Sequence, residues 1–128
     1  MSSAPIITAE MLAFLSEYHL APLTTLRADG SPHVVPVGFS YDAELHIVRV
    51  ITFPSSVKYK NAVRGGRAVV SQVDGGRWLS LEGTVTGTSD PTRVAAAVAG
   101  YTARYRQPKE REDRVAIEIA VDRVLGRA

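Results

Sequence analysis

Cysteine is absent from the 128 residues, which excludes a disulfide framework, a thiolate metal site, an iron–sulfur cluster and a cysteine nucleophile. Histidine is scarce. His19, His33 and His46 form neither an H-x3-H nor an HExxH pair, so no metal is expected. No apolar run approaches the roughly 20 residues of a membrane-spanning helix. The opening segment MSSAPIITAEMLAFL has neither the basic start nor the long apolar stretch of a secretory leader. A soluble, cytoplasmic chain with no membrane partner is the expectation. A large excess of one charge is also missing. Fifteen Lys and Arg stand against thirteen Asp and Glu, a net charge of +2, too little for a charge-dominated nucleic-acid binder. Nor is there a GxGxxG or Walker A loop, or a Ser-His-Asp arrangement.

What remains is a chain that is 45% hydrophobic and 22% charged, a length that suits one domain spanning 1–128. The spacing predicts a first helix over Ala9–Tyr18, capped by Thr8, with Glu10 in its first turn and Met11, Leu12, Phe14 and Leu15 as its apolar stripe. Leu20–Arg27 reads as a strand. Asp29-Gly30 marks a tight turn, and Pro32–Ser40 returns as a second strand. A polar bend over Tyr41–Glu44 leads into a strand over Leu45–Phe53. Serines 55 and 56 cap a short helix over Val57–Arg64, which Gly65-Gly66 closes. Strands follow at Arg67–Val73 and Arg77–Gly87, joined by the turn Asp74-Gly75-Gly76. Asp90-Pro91 opens a helix reaching Arg104. Residues 107–113 read as a solvated loop, and Val115–Val121 is a half-buried strand that Val124-Leu125 extends. Six or seven strands joined mostly by short turns imply antiparallel pairing. The expected fold is mainly β, an antiparallel barrel with three peripheral helices.

Two segments can carry chemistry. Residues 55–67 hold Lys58, Lys60, Arg64 and Arg67 and no acid. A helix start offers free N–H groups and the positive end of the helix dipole to an anion, and Lys58 lies within the first turn. Lys60, Arg64 and Arg67 fall at i, i+4 and i+7 and share a face for as long as the helix lasts. A solvated basic helix with ordinary serine caps accounts for the same residues. The second segment, 71–83, contains the single tryptophan, Trp78, beside Arg77. Such a pair can stack on a flat ligand or anchor a subunit contact, or Trp78 can be ordinary half-buried core. His33 is either a surface imidazole or a catalytic one, Asp29 serves its turn, and Glu82 has no partner carboxylate to make an acid/base pair.

The order of residues 23–39 (Leu-Thr-Thr-Leu-Arg-Ala-Asp-Gly-Ser-Pro-His-Val-Val-Pro-Val-Gly-Phe), then Ser56-x-Lys58-x-x-Asn61, then Ser71-Gln72-Val73 and Trp78-Leu79-Ser80-Leu81-Glu82-Gly83, resembles the pyridoxamine 5′-phosphate oxidase-like split β-barrel superfamily. Within it, the wording is most similar to the flavin/deazaflavin oxidoreductases of the B group, especially the F420-dependent biliverdin reductases. The resemblance implies a split β-barrel forming a homodimer with two cofactor sites at the subunit interface. It assigns the phosphate to Ser56 and Lys58, with Asn61 in support. It lays the cofactor ring along Val50, Ile51 and Thr52, with backbone from Val35, Pro36 and Val37. Gln72, Arg77 and Trp78 border the pocket, from the same or the partner subunit.

True pyridoxamine phosphate oxidases carry an Arg-x-Val-Leu-Leu-Lys strand for flavin mononucleotide. Here the stretch is Arg49-Val50-Ile51-Thr52-Phe53-Pro54, with proline in place of lysine. The C-terminal Trp and Arg segments of those oxidases are also not found before Ala128. Coenzyme F420, with its long anionic tail facing Lys60, Arg64 and Arg67, is therefore the expected cofactor, with flavin mononucleotide as the alternative. The resemblance implies hydride transfer from C5 of reduced F420 to a conjugated small molecule such as biliverdin, whose propionates Arg27, Arg49 or Arg77 can meet. Such chemistry rests on positioning and needs no catalytic side chain. A non-catalytic F420 carrier is the other function these residues allow.

Overall fold

The computed structural model describes residues 5–128. Residues 1–4, the start of the segment that lacks leader features, lie outside it. Ten elements follow one another: α1 (Ala9–Ser16), β1 (Ala21–Leu26), β2 (Pro32–Val37), β3 (Ser40–Asp42), β4 (Ile47–Thr52), α2 (Val57–Arg64), β5 (Arg67–Asp74), β6 (Arg77–Thr88), α3 (Pro91–Arg104) and β7 (Val115–Arg127). The strands form one sheet in the order β2-β1-β5-β6-β7-β4-β3. Every neighbouring pair is antiparallel; short turns require this of the hairpins β1–β2, β3–β4 and β5–β6. The fold is thus mostly β, a curled antiparallel half-barrel with three helices against it.

Local chemistry sets most boundaries. Thr8, Ser56 and Asp90 each accept the N–H three residues on, from Met11, Tyr59 and Arg93, and so cap α1, α2 and α3. Asp29 Oδ1 accepts from both the N–H and the hydroxyl of Ser31, with Gly30 beside it at φ 85°. The second strand stops at Val37 and not Ser40, the last runs to Arg127, and two further differences have a clear cause. Helix α1 stops at Ser16 rather than Tyr18, because tertiary contacts seize Glu17: Arg77 holds its carboxylate and Arg104 Nε donates to its carbonyl. The expected bend at Tyr41–Glu44 is instead a hairpin. Tyr41 and Asp42 pair with Val48 and Ile47, and Asp42 Oδ1 accepts the N–H groups of Glu44 and Leu45, so β4 begins at Ile47.

The last strand is continuous through thirteen residues. Glu82 faces Arg123 and Gly83 faces Val121, so Asp122 is bulged out of the ladder, and Arg67 takes its carboxylate through two hydrogen bonds, at 2.5 and 2.7 Å. Inside the curl lie Leu23, Phe39, Val48, Val70, Leu79, Leu81, Val85, Ile117 and Ile119, with Phe14 of α1 closing one end. No helix among the described residues is long and apolar enough to cross a membrane.

The two edge strands, β2 and β3, are joined by only Gly38 and Phe39, so the curl brings the edges together without pairing them. β3 covers β4 only as far as Arg49, opposite Ser40. Val50, Ile51 and Thr52 thus have β7 on one side and no strand on the other. The sheet is split along this line.

Candidate functional site

A cleft of about 260 Å³ occupies the split, walled by Pro36, Val37 and Gly38, by Val50 and Ile51, and by Lys58, with Tyr101 and Arg114 across from them. It runs on past Ile51, Thr52, Phe53 and Lys58 into a second hollow of about 380 Å³ under Lys109, Arg111 and Arg114. Seven of the twelve residues named from the sequence are therefore gathered here: Pro36, Val37, Val50, Ile51, Thr52 and Lys58 line the cleft, and Ser56 adjoins it. Val35 packs against the core on the same strand.

Ser56 Oγ accepts from Tyr59 N–H at 3.2 Å and from the Thr52 hydroxyl at 2.9 Å, leaving its own proton free to donate. Among the described residues the N–H groups of Val57 and Lys58 have no acceptor, as befits the first turn of a helix. Lys58 has no carboxylate partner among the described residues, and partial burial holds its ammonium below the ordinary lysine value. An unpaired, partly desolvated cation beside two free N–H groups is a place for an anion.

Asn61 is different. It is buried, with Nδ2 donating to the Thr25 hydroxyl at 3.0 Å and Oδ1 accepting from Arg64 at 3.2 Å. It ties α2 to β1 and supports the anion site only through the helix. The proposed basic face of α2 does not form either. The helix ends at Arg64, which is turned to the Leu26 carbonyl, and Arg67 belongs to β5 and to Asp122. Of that trio only Lys60 stays without a partner among the described residues.

Gln72, Arg77 and Trp78 lie elsewhere. α2 crosses β6 at Gly87, where Tyr59 and Val63 pack. Trp78 is nine residues back along that strand, roughly 30 Å at about 3.4 Å per residue. Gln72 is 1% exposed and spends its amide on the Phe14 carbonyl and on Arg104. Arg77 bonds Glu17 and Asp74 and stacks 4.6 Å from the Phe14 ring centroid. It also occupies the carboxylates of Glu17 and Asp74, which with the His19 imidazole form the one trio of ligand-type groups that converges among the described residues. Within one chain these three named residues do not border the cleft. His33 is half-buried on β2 opposite Thr25, away from the cleft lining.

The sequence reading missed Gly38, Tyr101, Lys109, Arg111 and Arg114. Tyr101 is brought in by α3, and a Cβ on Gly38 would stand 2.9 Å from its ring and 3.1 Å from that of Tyr105. Gly38→Ala should therefore push Tyr101 into the cleft and destabilise the fold by about 1–3 kcal/mol; a urea midpoint equal to the parent's would show that the rings yield freely. The loop cations carried a faint signal, three positive residues spaced through a loop with acids between them, indistinguishable in sequence from ordinary solvation. Arg111 stacks 4.4 Å from the Phe53 ring centroid, which brings the loop over the cleft.

An antiparallel half-barrel split along one seam, with a cation in the seam, is the architecture of the split β-barrel class. The chain belongs to the pyridoxamine 5′-phosphate oxidase family, whose profile matches residues 7–128. It is 57% identical over 122 residues to the F420H2-dependent biliverdin reductase of Mycobacterium tuberculosis (strain CDC 1551 / Oshkosh), a match covering 95% of this chain and 89% of that one. Among solved structures it resembles an F420 reductase (26% identity, TM-score 0.72, covering 88% of this chain and 94% of the other). It also resembles the conserved hypothetical protein Rv2991 of M. tuberculosis (22% identity, TM-score 0.78, covering 98% and 88%); at that identity the likeness shows the fold alone.

Proposed function

We propose that this protein is a coenzyme F420-dependent reductase that delivers a hydride to a conjugated acceptor, with biliverdin, reduced to bilirubin, as the acceptor. One observation of the site carries the reading: Lys58, without a carboxylate partner, stands in the seam between strands whose outer edges are free. The 57% identity to an F420H2-dependent biliverdin reductase supports it.

The residues present fit the cofactor. Gly38 leaves the floor of the cleft open where a Cβ would meet two tyrosine rings. The unpaired edges of β2 at Pro36–Val37 and of β4 at Val50–Thr52 offer backbone donors and acceptors to a flat heteroaromatic ring. Lys58, the Ser56 hydroxyl and the free N–H groups of Val57 and Lys58 would hold the phosphate, and Lys60 and Lys109, which have no carboxylate partner among the described residues, would meet further carboxylates. Bound reduced F420 would supply the hydride and be released as oxidised F420, and a proton from solvent would complete the reduced acceptor. The chain's own work would be to position the ring between the two strand edges, to hold the charged handle and to exclude water from the apolar floor of Val37, Val50 and Ile51. Arg27, Arg49 and Arg77 are poor choices for the acceptor's carboxylates. Arg49 is bound to Asp42, Arg77 to Glu17 and Asp74, and Arg27 donates to the Pro32 carbonyl.

Mixing the protein with reduced F420 and biliverdin should bleach the reduced cofactor's absorbance as bilirubin forms. A protein that leaves reduced F420 unoxidised, or that purifies with yellow flavin and ignores F420, overturns the proposal.

The working unit in this reading is a homodimer. Val73, Trp78 and Leu125 are direct or next-but-one neighbours on one outer face of β5, β6 and β7, and are 63%, 37% and 45% exposed, an apolar patch suited to a second copy. Trp78→Ala should weaken self-association by about 2 kcal/mol or more, seen as a shift towards single chains in sedimentation; an unchanged dimer would remove Trp78 from the interface.

A further inference from the structure

Tyrosine at position 101 carries more than its packing requires. Its ring lies against Gly38, where a Cβ would stand 2.9 Å away, and against the Tyr105 ring, at a centroid distance of 4.9 Å. Tyr105 is itself fixed, its hydroxyl bonded to the His19 carbonyl and the Phe39 N–H. These contacts hold an aromatic ring in place, and phenylalanine would make them equally well. The hydroxyl is what is left over: it has no hydrogen-bond partner among the described residues, and the residue that bears it walls the seam cleft. Arg114 stands on the same wall. It immediately precedes β7, whose first residue pairs with Thr52, and it spends one N–H on the Lys109 carbonyl. It has no carboxylate partner among the described residues, and the neighbouring Asp113 is taken by Arg111. The cleft lining thus holds two cations, Lys58 and Arg114, one free hydroxyl and no acid. The acids of the loop line other spaces, Glu110 the further hollow and Glu112 the side towards α3.

We propose that Tyr101 and Arg114 select a deazaflavin over a flavin by binding the oxygen at position 8 of its ring, Tyr101 as hydrogen-bond donor and Arg114 as cation. This deepens the F420 reading and rests on it. The two ring systems differ at that point: F420 carries an ionisable hydroxyl where flavin mononucleotide carries a methyl group. The walls of the cleft match that difference. The strand edges at Pro36–Val37 and Val50–Ile51 offer carbonyls and N–H groups, which complement the carbonyl and imide edge that both ring systems share. Lys58 belongs to the anion site beside Ser56. The wall that remains presents a donor and a cation, which suit an anionic oxygen. A methyl group pressed against them would displace their water and return no hydrogen bond, and a site built to bond an oxygen rejects the analogue that lacks it. Tyr101 and Arg114 are specificity-determining residues in this assignment and take no part in the hydride transfer.

The test follows the visible spectrum of bound oxidised F420 as pH is varied, with no acceptor present, so that turnover plays no part. The band shifts as the ring hydroxyl ionises, and a donor and a cation beside the oxygen favour the ionised form. Tyr101→Phe keeps the ring contacts with Gly38 and Tyr105 and should melt with the parent. It should raise the transition of the bound cofactor by about half a pH unit, and Arg114→Gln should raise it by about one. At neutral pH Tyr101→Phe should also bind F420 roughly threefold to tenfold more weakly, and flavin mononucleotide no more weakly than the parent does. A transition at the parent's pH in either variant overturns the assignment, as does an equal loss of affinity for F420 and flavin mononucleotide. Failure of the F420 reading looks different: the parent protein then takes up no oxidised F420, only the free cofactor's transition is seen, and the assignment falls with it.

Discussion

Replacing Lys58 with alanine is expected to weaken F420 binding by about 1–3 kcal/mol, the range for one charge-assisted hydrogen bond to a phosphate, or roughly five- to 150-fold in Kd. The size of the effect follows from the surroundings. Lys58 is partly buried in the free protein and has no carboxylate to offset its desolvation, so an incoming anion meets a cation that has already lost part of its water. A surface lysine would give far less. The fold should hardly notice the change, because the helix is capped by Ser56 and anchored by Asn61, not by Lys58. The same argument fixes a pH dependence. Burial lowers the Lys58 pKa in the free protein, and a bound phosphate raises it again. Affinity is therefore full below the lowered value and declines as pH rises through it, earlier than an ordinary lysine would dictate. Fluorescence titration of F420 across neutral to alkaline pH checks both. Parent-like affinity in Lys58→Ala, or a pH profile identical in the two proteins, removes Lys58 from the phosphate.

Why Lys58 was legible in the sequence while Arg114 was not is a matter of range. The signals for Lys58 lie within a few residues: Ser56 before the helix, the lysine in its first turn, glycines at its end. The same is true of Asp29-Gly30 and of the caps at Thr8 and Asp90, each of which acts on an N–H two or three residues away. The antiparallel hairpins β1–β2, β3–β4 and β5–β6 too follow from turn length. Arg114, Lys109 and Tyr101 reach the seam only because α3 packs across β3 and β4 and the chain then doubles back, contacts spanning some fifty residues that no local pattern encodes. Arg67 shows the converse. Its spacing from Lys60 and Arg64 suggests one helical face, but Gly65 ends the helix, and the bulged Asp122, far along the chain, claims the guanidinium. Only the resemblance puts Gln72 at the pocket; within one chain it is buried, with its amide on the Phe14 carbonyl and on Arg104, contacts that no local pattern encodes.

Arg104→Ala should produce the largest loss of stability, about 2–4 kcal/mol, lowering the melting temperature by roughly 10 °C in a chain of this length. One guanidinium serves three acceptors from separate parts of the fold: the Glu17 carbonyl after α1 at 2.9 Å, the Phe39 carbonyl between β2 and β3 at 2.8 Å, and Gln72 Oε1 on β5 at 2.6 Å. Its plane also lies over the Phe39 ring, 4.5 Å from the centroid, and near Tyr105. Alanine removes the donor from the Glu17 carbonyl and from Gln72 Oε1, which is buried, and leaves the Phe39 carbonyl only the longer contact from the Tyr105 hydroxyl at 3.3 Å. Lysine retains the charge but not the planar fork, so Arg104→Lys should recover only part of the loss. Burial already lowers the Arg104 pKa, so a bare ammonium in its place would bear a greater desolvation cost with fewer bonds to offset it. The effect should reach the seam as well. Phe39 follows Gly38 directly, and the Tyr105 hydroxyl donates to the His19 carbonyl while accepting from Phe39 N–H, so Arg104 and Tyr105 together pin the link between the two edge strands. Freed from one pin, the floor beneath Pro36–Gly38 should loosen, and F420 affinity should fall together with the melting temperature. A variant that melts with the parent would show that water replaces the guanidinium at all three oxygens. One that melts early yet binds F420 at full strength would show that the split is held open by β4 and α2 alone.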